Sequence, residues 1–242
     1  MTNRKPRQSI NRQRISHTAE NYLLSIAILE EDGLSPHISE LASYLRRIPP
    51  GEEVGTTLAS VSGMVQRMVK EGLIEVSQDK RIVFTTQGQE RARDVVRRHR
   101  LSERLLVDIL DVSLAHAESE AHSLEHGISL EVLAKIDEKL GYPETCPYGR
   151  PIYREDEIEI RGPDPSALRL SEARPGASYT VTRIPDEDYP LLSYLVETEV
   201  LPGETIVVED IAEYRGVVDI SRKESRISLG MDVAARIRVR LA

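Results

Sequence analysis

The sequence contains a single cysteine, Cys146, no tryptophan, one phenylalanine and no long apolar run. One cysteine cannot build a disulfide framework, which favours a reducing compartment. No segment approaches the roughly 20 apolar residues needed to cross a bilayer, and the polar, basic N-terminus has no apolar signal-peptide core. The scarcity of aromatic rings argues against stacking platforms for single-stranded nucleic acid. We therefore expect a cytoplasmic protein with no membrane segment.

Familiar catalytic signatures are also missing. The chain has no nucleophile elbow, no Walker phosphate loop and no H-E-x-x-H zinc motif. Cys146 lies in a turn rich in proline and glycine, with no helix N-terminus predicted before it to activate the thiol. We expect no enzyme activity, although a metal-buffering protein or a metalloenzyme stays open as an alternative.

Charge is divided unevenly along the chain. Residues 1–100 carry 16 Lys/Arg and 12 Asp/Glu, a balance of +4, whereas residues 101–242 carry 16 and 28, a balance of −12. A basic half beside an acidic half is expected when one domain meets phosphate and another meets cations. The division favours a DNA-binding part followed by a metal-binding part.

Residues 1–90 follow the plan of a winged helix-turn-helix domain. Residues 1–16 are basic, without an acidic residue, and are predicted to be a disordered arm. Apolar residues at helical spacing predict three helices, and two short apolar runs predict a hairpin: Thr18–Glu31, Ile38–Arg47, Thr57–Glu71, Leu73–Val76 and Arg81–Thr85. The third helix fits the DNA major groove and the hairpin the adjoining backbone. The turn Arg46–Thr56 is longer than the usual 3–4 residues.

The remainder divides into a helical domain, a linker and a β-rich domain. Helical spacing dominates residues 91–151, with segments ending near Leu110, His126 and Leu140. Residues 152–167 form an irregular acidic linker. Alternating apolar residues over 168–242 predict a small β-barrel of the SH3 type. The expected class is mainly α with β.

Histidine and carboxylate side chains concentrate in the helical domain. Glu118, His122, Glu125 and His126 fall on one face of the second helix, at i, i+4, i+7 and i+8. His99 and Glu103 form an i, i+4 pair on the preceding helix, which faces them if the two helices pack antiparallel. Imidazoles and carboxylates converging in this way suit a divalent first-row metal, whereas a solvated acidic face is the alternative.

Taken together, these segments closely resemble the diphtheria-toxin-repressor family of iron- and manganese-dependent regulators. The resemblance covers nearly the whole chain and rests on six segments: T-A-E-N-Y-L, V-S-G-M-V-Q-R-M-V-K-E-G-L-I, T-T-Q-G-Q-E-R-A, H-R-L-S-E, A-H-S-L-E-H-G-I-S and C-P-Y-G-R-P-I. The last three, in that order and spacing, are highly specific. The C-terminal barrel looks like the SH3-like domain of ferrous-transport accessory proteins.

The resemblance implies two metal sites in each subunit. The primary site would use Asn21, His122, Glu125 and His126, with Glu20 as the alternative to Asn21. Relatives carry Met or Asp at the first of these positions and Cys or Glu at the second, so this chain departs from both patterns.

The ancillary site would use His99, Glu103 and Glu118, where many relatives have a histidine in place of Glu118. The third domain adds ligands in some relatives. Its nearest match here is Asp186, in the stretch 186–188, while Arg183 occupies an expected carboxylate position.

The recognition helix and the ligand chemistry complete the expected function. Six residues are expected to face DNA: Thr57, Ser60, Ser62, Gly63, Gln66 and Arg67. Gln66 is the candidate for a base edge and Arg67 for a phosphate, whereas Gly63 stands where relatives carry a base-reading Gln. Nitrogen and oxygen ligands without sulfur select no soft ion. The resemblance implies Mn²⁺ sensing over Fe²⁺ for such a hard primary site, and Zn²⁺ is expected to bind in vitro because the affinity order favours Zn²⁺ and Fe²⁺ over Mn²⁺. The expected protein is a metal-dependent homodimeric repressor at a palindromic DNA operator, with an Fe²⁺-responsive repressor as the alternative.

Overall fold

The computed structural model describes residues 15–46, 54–154, 157, 159–186, 189–223 and 225–242. The predicted basic arm, apart from its last residues, lies outside this part of the chain. So do residues 47–53 of the long predicted turn and residues 187 and 188 of the acidic stretch.

The N-terminal elements form the predicted winged helix-turn-helix: α1 (His17–Glu31), α2 (Ile38–Leu45), α3 (Leu58–Lys70), β1 (Ile74–Val76) and β2 (Ile82–Phe84). Side chains of Ser16 and Thr57 cap α1 and α3 by accepting backbone N–H groups of Ala19 and Ser60. β1 and β2 pair antiparallel, with Glu75 opposite Val83. One apolar core joins the three helices to the hairpin, so α3 is held with its outer face exposed.

Three helices make the second unit: α4 (Thr86–Asp108), α5 (Leu114–Glu125) and α6 (Leu130–Lys139). α4 starts directly after the wing, where the Thr85 hydroxyl accepts the N–H of Gly88 at 3.0 Å. It packs against both α1 and α5, so it lies between the DNA-binding domain and the predicted metal helix. A buried ion pair, Arg97 Nη2 to Asp137 Oδ2 at 2.6 Å, joins α4 to α6.

The third unit is built on a six-stranded antiparallel sheet of order β3-β8-β4-β5-β6-β7. Its strands are β3 (Leu168–Arg169), β4 (Ser178–Arg183), β5 (Thr205–Ala212), β6 (Val217–Arg222), β7 (Ser225–Gly230) and β8 (Arg238–Leu241). The predicted SH3-like β-rich unit is confirmed, but its sheet is not closed into a barrel: among the described residues no ladder joins β3 to β7. β3 is two residues long and pairs with β8, so it offers no length for a second ladder.

Two helices of the third unit were not predicted: α7 (Tyr189–Glu197) and the single turn α8 (Met231–Ala234). α7 packs on α5, where the ring of Tyr189 lies 5.0 Å from that of His116. The third unit is therefore docked on α5, the helix that carries the predicted ligands Glu118, His122 and Glu125. In the part of the chain that the structure describes, no helix has the length and apolar character needed to cross a membrane.

Candidate metal centre

Helices α4 and α5 bring five of the predicted ligands into one buried group, here called the His/Glu cluster: His99, Glu103, Glu118, His122 and Glu125. His99 Nε2 lies 2.9 Å from Glu103 Oε1, and His99 Nδ1 lies 2.9 Å from Glu125 Oε2. The ligand atoms of His99, Glu118 and His122 lie within 4.8 Å of one another. The two ligand sets implied by the family resemblance are therefore contiguous, joined through His99 and Glu125.

Three carboxylates in a buried volume create a demand for positive charge. Burial opposes the charged form of His99, but Glu103 and Glu125 outweigh it and hold the pKa of His99 well above its ordinary value. Burial and the nearby His99 act against protonation of His122, yet its carboxylate neighbours raise the pKa to about 10. Burial alone would raise the pKa of Glu125, but the two imidazoles lower it to about 2. In the absence of a metal, protons on the two imidazoles offset two of the three negative charges.

Glu125 also faces the end of α5. Its Oε1 atom is buried without a hydrogen-bond partner among the described residues, and it lies 3.7 Å from His122 Nδ1 and 3.6 Å from His126 Nε2. Donor atoms bound to one ion at about 2.1 Å lie roughly 3.0–3.4 Å apart. The three side chains therefore need only small shifts to bind one ion.

α1 carries two adjacent polar residues, Glu20 and Asn21, and Glu20 reaches His126 at this end of the site. Both oxygens of Glu20 are engaged, one with Arg98 Nη2 at 2.5 Å and the other with His126 Nδ1 at 2.7 Å. Although burial acts in the opposite direction, the hydrogen bonds from His126 and Arg98 lower the pKa of Glu20. Asn21, in contrast, is buried and its Oδ1 has no hydrogen-bond partner in the described structure. A buried amide oxygen without a partner is an acceptor that a bound ion could complete, and Asn21 is the sequence neighbour of Glu20.

Three contacts of this site have no counterpart in the sequence argument. Nothing in the spacing distinguishes Arg98 from the other arginines of α4. The ring of His17 stacks on His126, with centroids 4.2 Å apart and planes 3° from parallel. Cys146 is buried beside Glu103 and Arg100, and burial above all holds its pKa well above the usual value.

Asp186 lies apart from the His/Glu cluster. Its carboxylate accepts two hydrogen bonds from Arg150, from Nε at 2.7 Å and from Nη2 at 3.2 Å. Arg183 pairs with Asp32 at the end of α1. In the described structure, Arg150 and Arg183 therefore link the third unit to α1. The carboxylate of Asp186 is already bonded to Arg150.

The residues expected to face DNA lie on α3 or at its start. Gly63, Gln66 and Arg67 are exposed and Ser62 is half-buried. Thr57 and Ser60 are exposed too, but their hydroxyl groups bond to each other at 2.9 Å as part of the helix cap. Arg67 is paired with Glu71 at 2.8 Å on the protein surface. The helix therefore offers Gln66 and Arg67 as its long polar side chains beside the small Gly63.

Comparison with known proteins bears on both halves of the site. Residues 85–154 match the family model described as iron dependent repressor, metal binding and dimerisation domain, and residues 168–241 match the FeoA domain. The iron-dependent repressor IdeR of Mycobacterium leprae is 32% identical over 232 residues, covering 92% of this chain and 96% of that protein. The diphtheria toxin repressor of Corynebacterium glutamicum is 31% identical over 229 residues, covering 92% and 95%.

A solved structure agrees. A manganese-dependent transcriptional repressor in complex with manganese superposes with a TM-score of 0.78 at 28% identity, over 93% of this chain and 100% of that one. The relatives are named as repressors, which confirms the interpretation as a regulator and not an enzyme. The sequence similarity along nearly the full length and the shared fold lead to one conclusion: the chain belongs to the diphtheria-toxin-repressor family of metal-dependent transcriptional repressors.

Proposed function

We propose that this protein is a Mn²⁺-responsive homodimer that represses genes of metal homeostasis by binding a palindromic operator. One observation carries the proposal: His126, whose Nε2 lies 3.6 Å from Glu125 of the buried His/Glu cluster, bonds Glu20 of the first helix of the DNA-binding domain at 2.7 Å. A change at the cluster is therefore a change at the joint between the two domains.

The ligand assignment follows from bonding and burial. Asn21, His122, Glu125 and His126 would hold the primary ion, and His99, Glu103 and Glu118 would hold a second. Glu20 is assigned a supporting role, because both of its oxygens are already engaged and one of them orients His126. A partner at Nδ1 leaves Nε2 of that imidazole directed toward Glu125.

The donor set bears on the choice of metal. When bound, a divalent ion would join amide and carboxylate oxygens to imidazole nitrogens from two domains at one centre. The chain's only thiol, Cys146, is buried with a raised pKa and so is a poor soft ligand. Oxygen-rich donors without sulfur favour Mn²⁺, as does the likeness to a repressor described as manganese-dependent. Because the relative from Mycobacterium leprae is named an iron-dependent repressor, Fe²⁺ is the second candidate.

The chain's own residues would control DNA binding by fixing α1 relative to α5. α1 shares a core with α3, so a fixed α1 also fixes the recognition helix. In a dimer, two recognition helices held about 34 Å apart fit successive major grooves of a palindrome. A coupling of about 1–3 kcal/mol between metal and DNA, or roughly 5–150-fold in affinity, is typical of such a device.

Selection from a random DNA pool tests the proposal. The chelated protein and the protein with Mn²⁺, Fe²⁺ or Zn²⁺ would be compared, Fe²⁺ under anaerobic conditions. We expect a palindrome to be enriched only when a metal is present. We also expect Mn²⁺ to be effective at a free concentration that occurs in cells. Enrichment without metal would remove the cluster's role as the switch, and no enrichment would favour a metal-handling protein.

A matched pair of variants on α5 tests the site itself. Glu125 is fully buried in the cluster, whereas Glu120 is exposed on the same helix. Glu125→Gln is expected to lower metal affinity by about 100-fold or more, because it removes a charged ligand while keeping the side-chain size. Glu120→Gln is expected to bind metal and DNA as the native protein does. Competition with a fluorescent chelator gives the affinities, and native activation of Glu125→Gln would rule out the proposed site.

A further inference from the structure

The C-terminal end of α1 enters a second buried group of charges, away from the His/Glu cluster. Glu31 accepts a pair of hydrogen bonds from Arg100 of α4, at 2.7 and 2.6 Å. The hydroxyl of Tyr153 donates to the same carboxylate at 2.6 Å. Glu31 and Arg100 are only 2% and 1% exposed, so this end of α1 is held against α4 by a dry, bidentate ion pair.

Arg150 extends this group to the third unit. Its Nη1 lies 3.4 Å from Glu31 Oε2 and 3.8 Å from Asp32 Oδ1, while its other nitrogens bond Asp186. The guanidinium is 3% exposed and lies between carboxylates of two domains. A planar group with donors on several edges suits this bridging position, which lysine could not fill in the same way.

The segment that carries Arg150 is itself fixed to the third unit. The N–H of Ile184 donates to the carbonyl of Tyr148 at 3.0 Å. Gly149 has a positive φ of 89°, and a Cβ there would lie 1.9 Å from the carbonyl oxygen of Thr182 in β4. Only glycine allows this backbone approach. The backbone next to Arg150 is therefore packed directly against the third unit, which fixes the position of Arg150.

α1 thus has two attachments of different character. Near its start, Glu20 contacts His126 of the proposed metal centre, and Asn21 is the adjacent residue. At its end, ten residues or about 15 Å further along the helix axis, Glu31 and Asp32 meet arginines that need no metal. Removing one partner from a buried ion pair leaves an uncompensated charge, so this second attachment is costly to break.

We propose that Arg150 is a positioning residue that fixes the C-terminal end of α1 to the third unit, which makes this end the pivot of the metal response. Because this end is held, a movement at Asn21 rotates the winged helix-turn-helix domain about Glu31 instead of translating it. The third unit thereby regulates DNA binding through an ion pair with α1. The effect of the pivot on DNA binding rests on the proposed function, whereas the pivot itself is a property of the metal-free protein.

The experiment compares Asp186→Asn with Asp164→Asn in the full chain. Asp186 supports Arg150, whereas Asp164 pairs with Arg240 on the surface, with side chains 49% and 54% exposed. Nitroxide labels at Lys70→Cys and Tyr214→Cys report the distance between α3 and the third unit by pulsed electron resonance, because the native Cys146 is buried. Diamagnetic Zn²⁺ replaces Mn²⁺ in the loaded samples. Circular dichroism checks folding, and Arg150→Lys, which keeps the charge but not the bidentate geometry, is the second variant.

Asp186→Asn is expected to broaden the label distance distribution in the metal-free protein, whereas Asp164→Asn leaves it as in the native protein. Zinc affinity is expected to stay native, while the metal-dependent gain in DNA affinity falls from the typical range of about 5–150-fold toward unity. A folded Asp186→Asn and Arg150→Lys with native distributions would overturn the pivot, as would a loss of metal affinity with the DNA gain intact. Failure of the native protein to bind DNA in response to metal would instead remove the proposed function, and the metal-free distributions would still decide the pivot.

Discussion

Glu20 and Asn21 are neighbours in sequence but differ in what surrounds their oxygens. Glu20 has an arginine and an imidazole within hydrogen-bond distance. The amide oxygen of Asn21 is buried with no such partner among the described residues. A buried acceptor left unpaired costs about 1–3 kcal/mol, so a structure tolerates it where a ligand completes the bonding. This difference decides which of the two is the proposed ligand.

The assignment predicts the effect of adding a charge at this position. Asn21→Asp replaces an amide oxygen by a carboxylate of nearly equal size, and hard divalent cations prefer charged oxygen donors. Affinity for Mn²⁺ is expected to rise by about tenfold, or roughly 1.4 kcal/mol. Competition with a fluorescent chelator measures it.

Asn21→Ala is the complementary variant and is expected to weaken Mn²⁺ binding. Glu20→Gln is the matched control at the adjacent position. If it weakened metal binding more than Asn21→Ala did, the roles of the two residues would be reversed.

The sequence indicated the metal cluster because its residues follow the period of a helix. The spacings within α4 and α5 placed His99 near Glu103 and Glu118 near His122, and the structure brings each pair to 2.9 Å. The charges around Arg150 had no such signal. Glu31 and Arg100 are 69 residues apart and Arg150 and Asp186 are 36 apart, so only tertiary packing brings them together.

At the level of elements, the prediction failed where two periods are mixed. The helix α7 lies in a domain whose other segments alternate with a period of two. Its signals were present, since Pro190 is in the first turn and Leu191 and Leu195 recur at helical spacing. The strand pattern on both sides outweighed them. For a short segment, the sequence alone cannot decide between a helical period and a strand period, because the choice depends on what the segment packs against.

Two glycines in neighbouring helices are expected to respond in opposite ways to the same substitution. Gly63 lies on the exposed face of α3, and a Cβ there would meet nothing within 4 Å. Gly63→Ala is expected to stabilise the free protein by about 0.5–1 kcal/mol, because alanine loses less backbone freedom in a helix. A Cβ at Gly88 would lie 1.6 Å from the carbonyl oxygen of Leu73. Gly88→Ala is therefore expected to destabilise the joint between the wing and α4.

Urea denaturation of the metal-free protein measures both changes. A loss of stability in Gly63→Ala would mean that this face of α3 is covered in solution. DNA binding by this variant is a separate readout, because the added methyl group faces the proposed groove contact.

On the scale of the whole molecule, the division of charge matches the placement of the elements. The basic first hundred residues contain the winged helix, and the acidic remainder contains α5 and the third unit. α4 connects the two, with His99 in the metal cluster and Arg100 in the pivot on adjacent residues. α4 therefore contacts α1 at both ends, through Arg98 at Glu20 and Arg100 at Glu31. In the proposed function, this arrangement would let a local change at the cluster alter the orientation of an entire domain.

The last prediction concerns the dimer, which the proposed palindromic operator requires. Leu106 forms a small apolar cluster with Ala117 and Ala121, and Leu110 near the end of the same helix is 56% exposed. An apolar cluster this small, close to an exposed leucine, is expected where a second copy of the chain packs against it. Leu110→Lys is therefore expected to yield monomers in sedimentation equilibrium and to weaken operator binding by about 10²–10⁴-fold, because the second half-site is no longer held nearby. Leu241→Lys, at an equally exposed leucine of the third unit (66%), is expected to leave the dimer intact. Native dimers of Leu110→Lys with full DNA affinity would move the interface to another face of the helical domain.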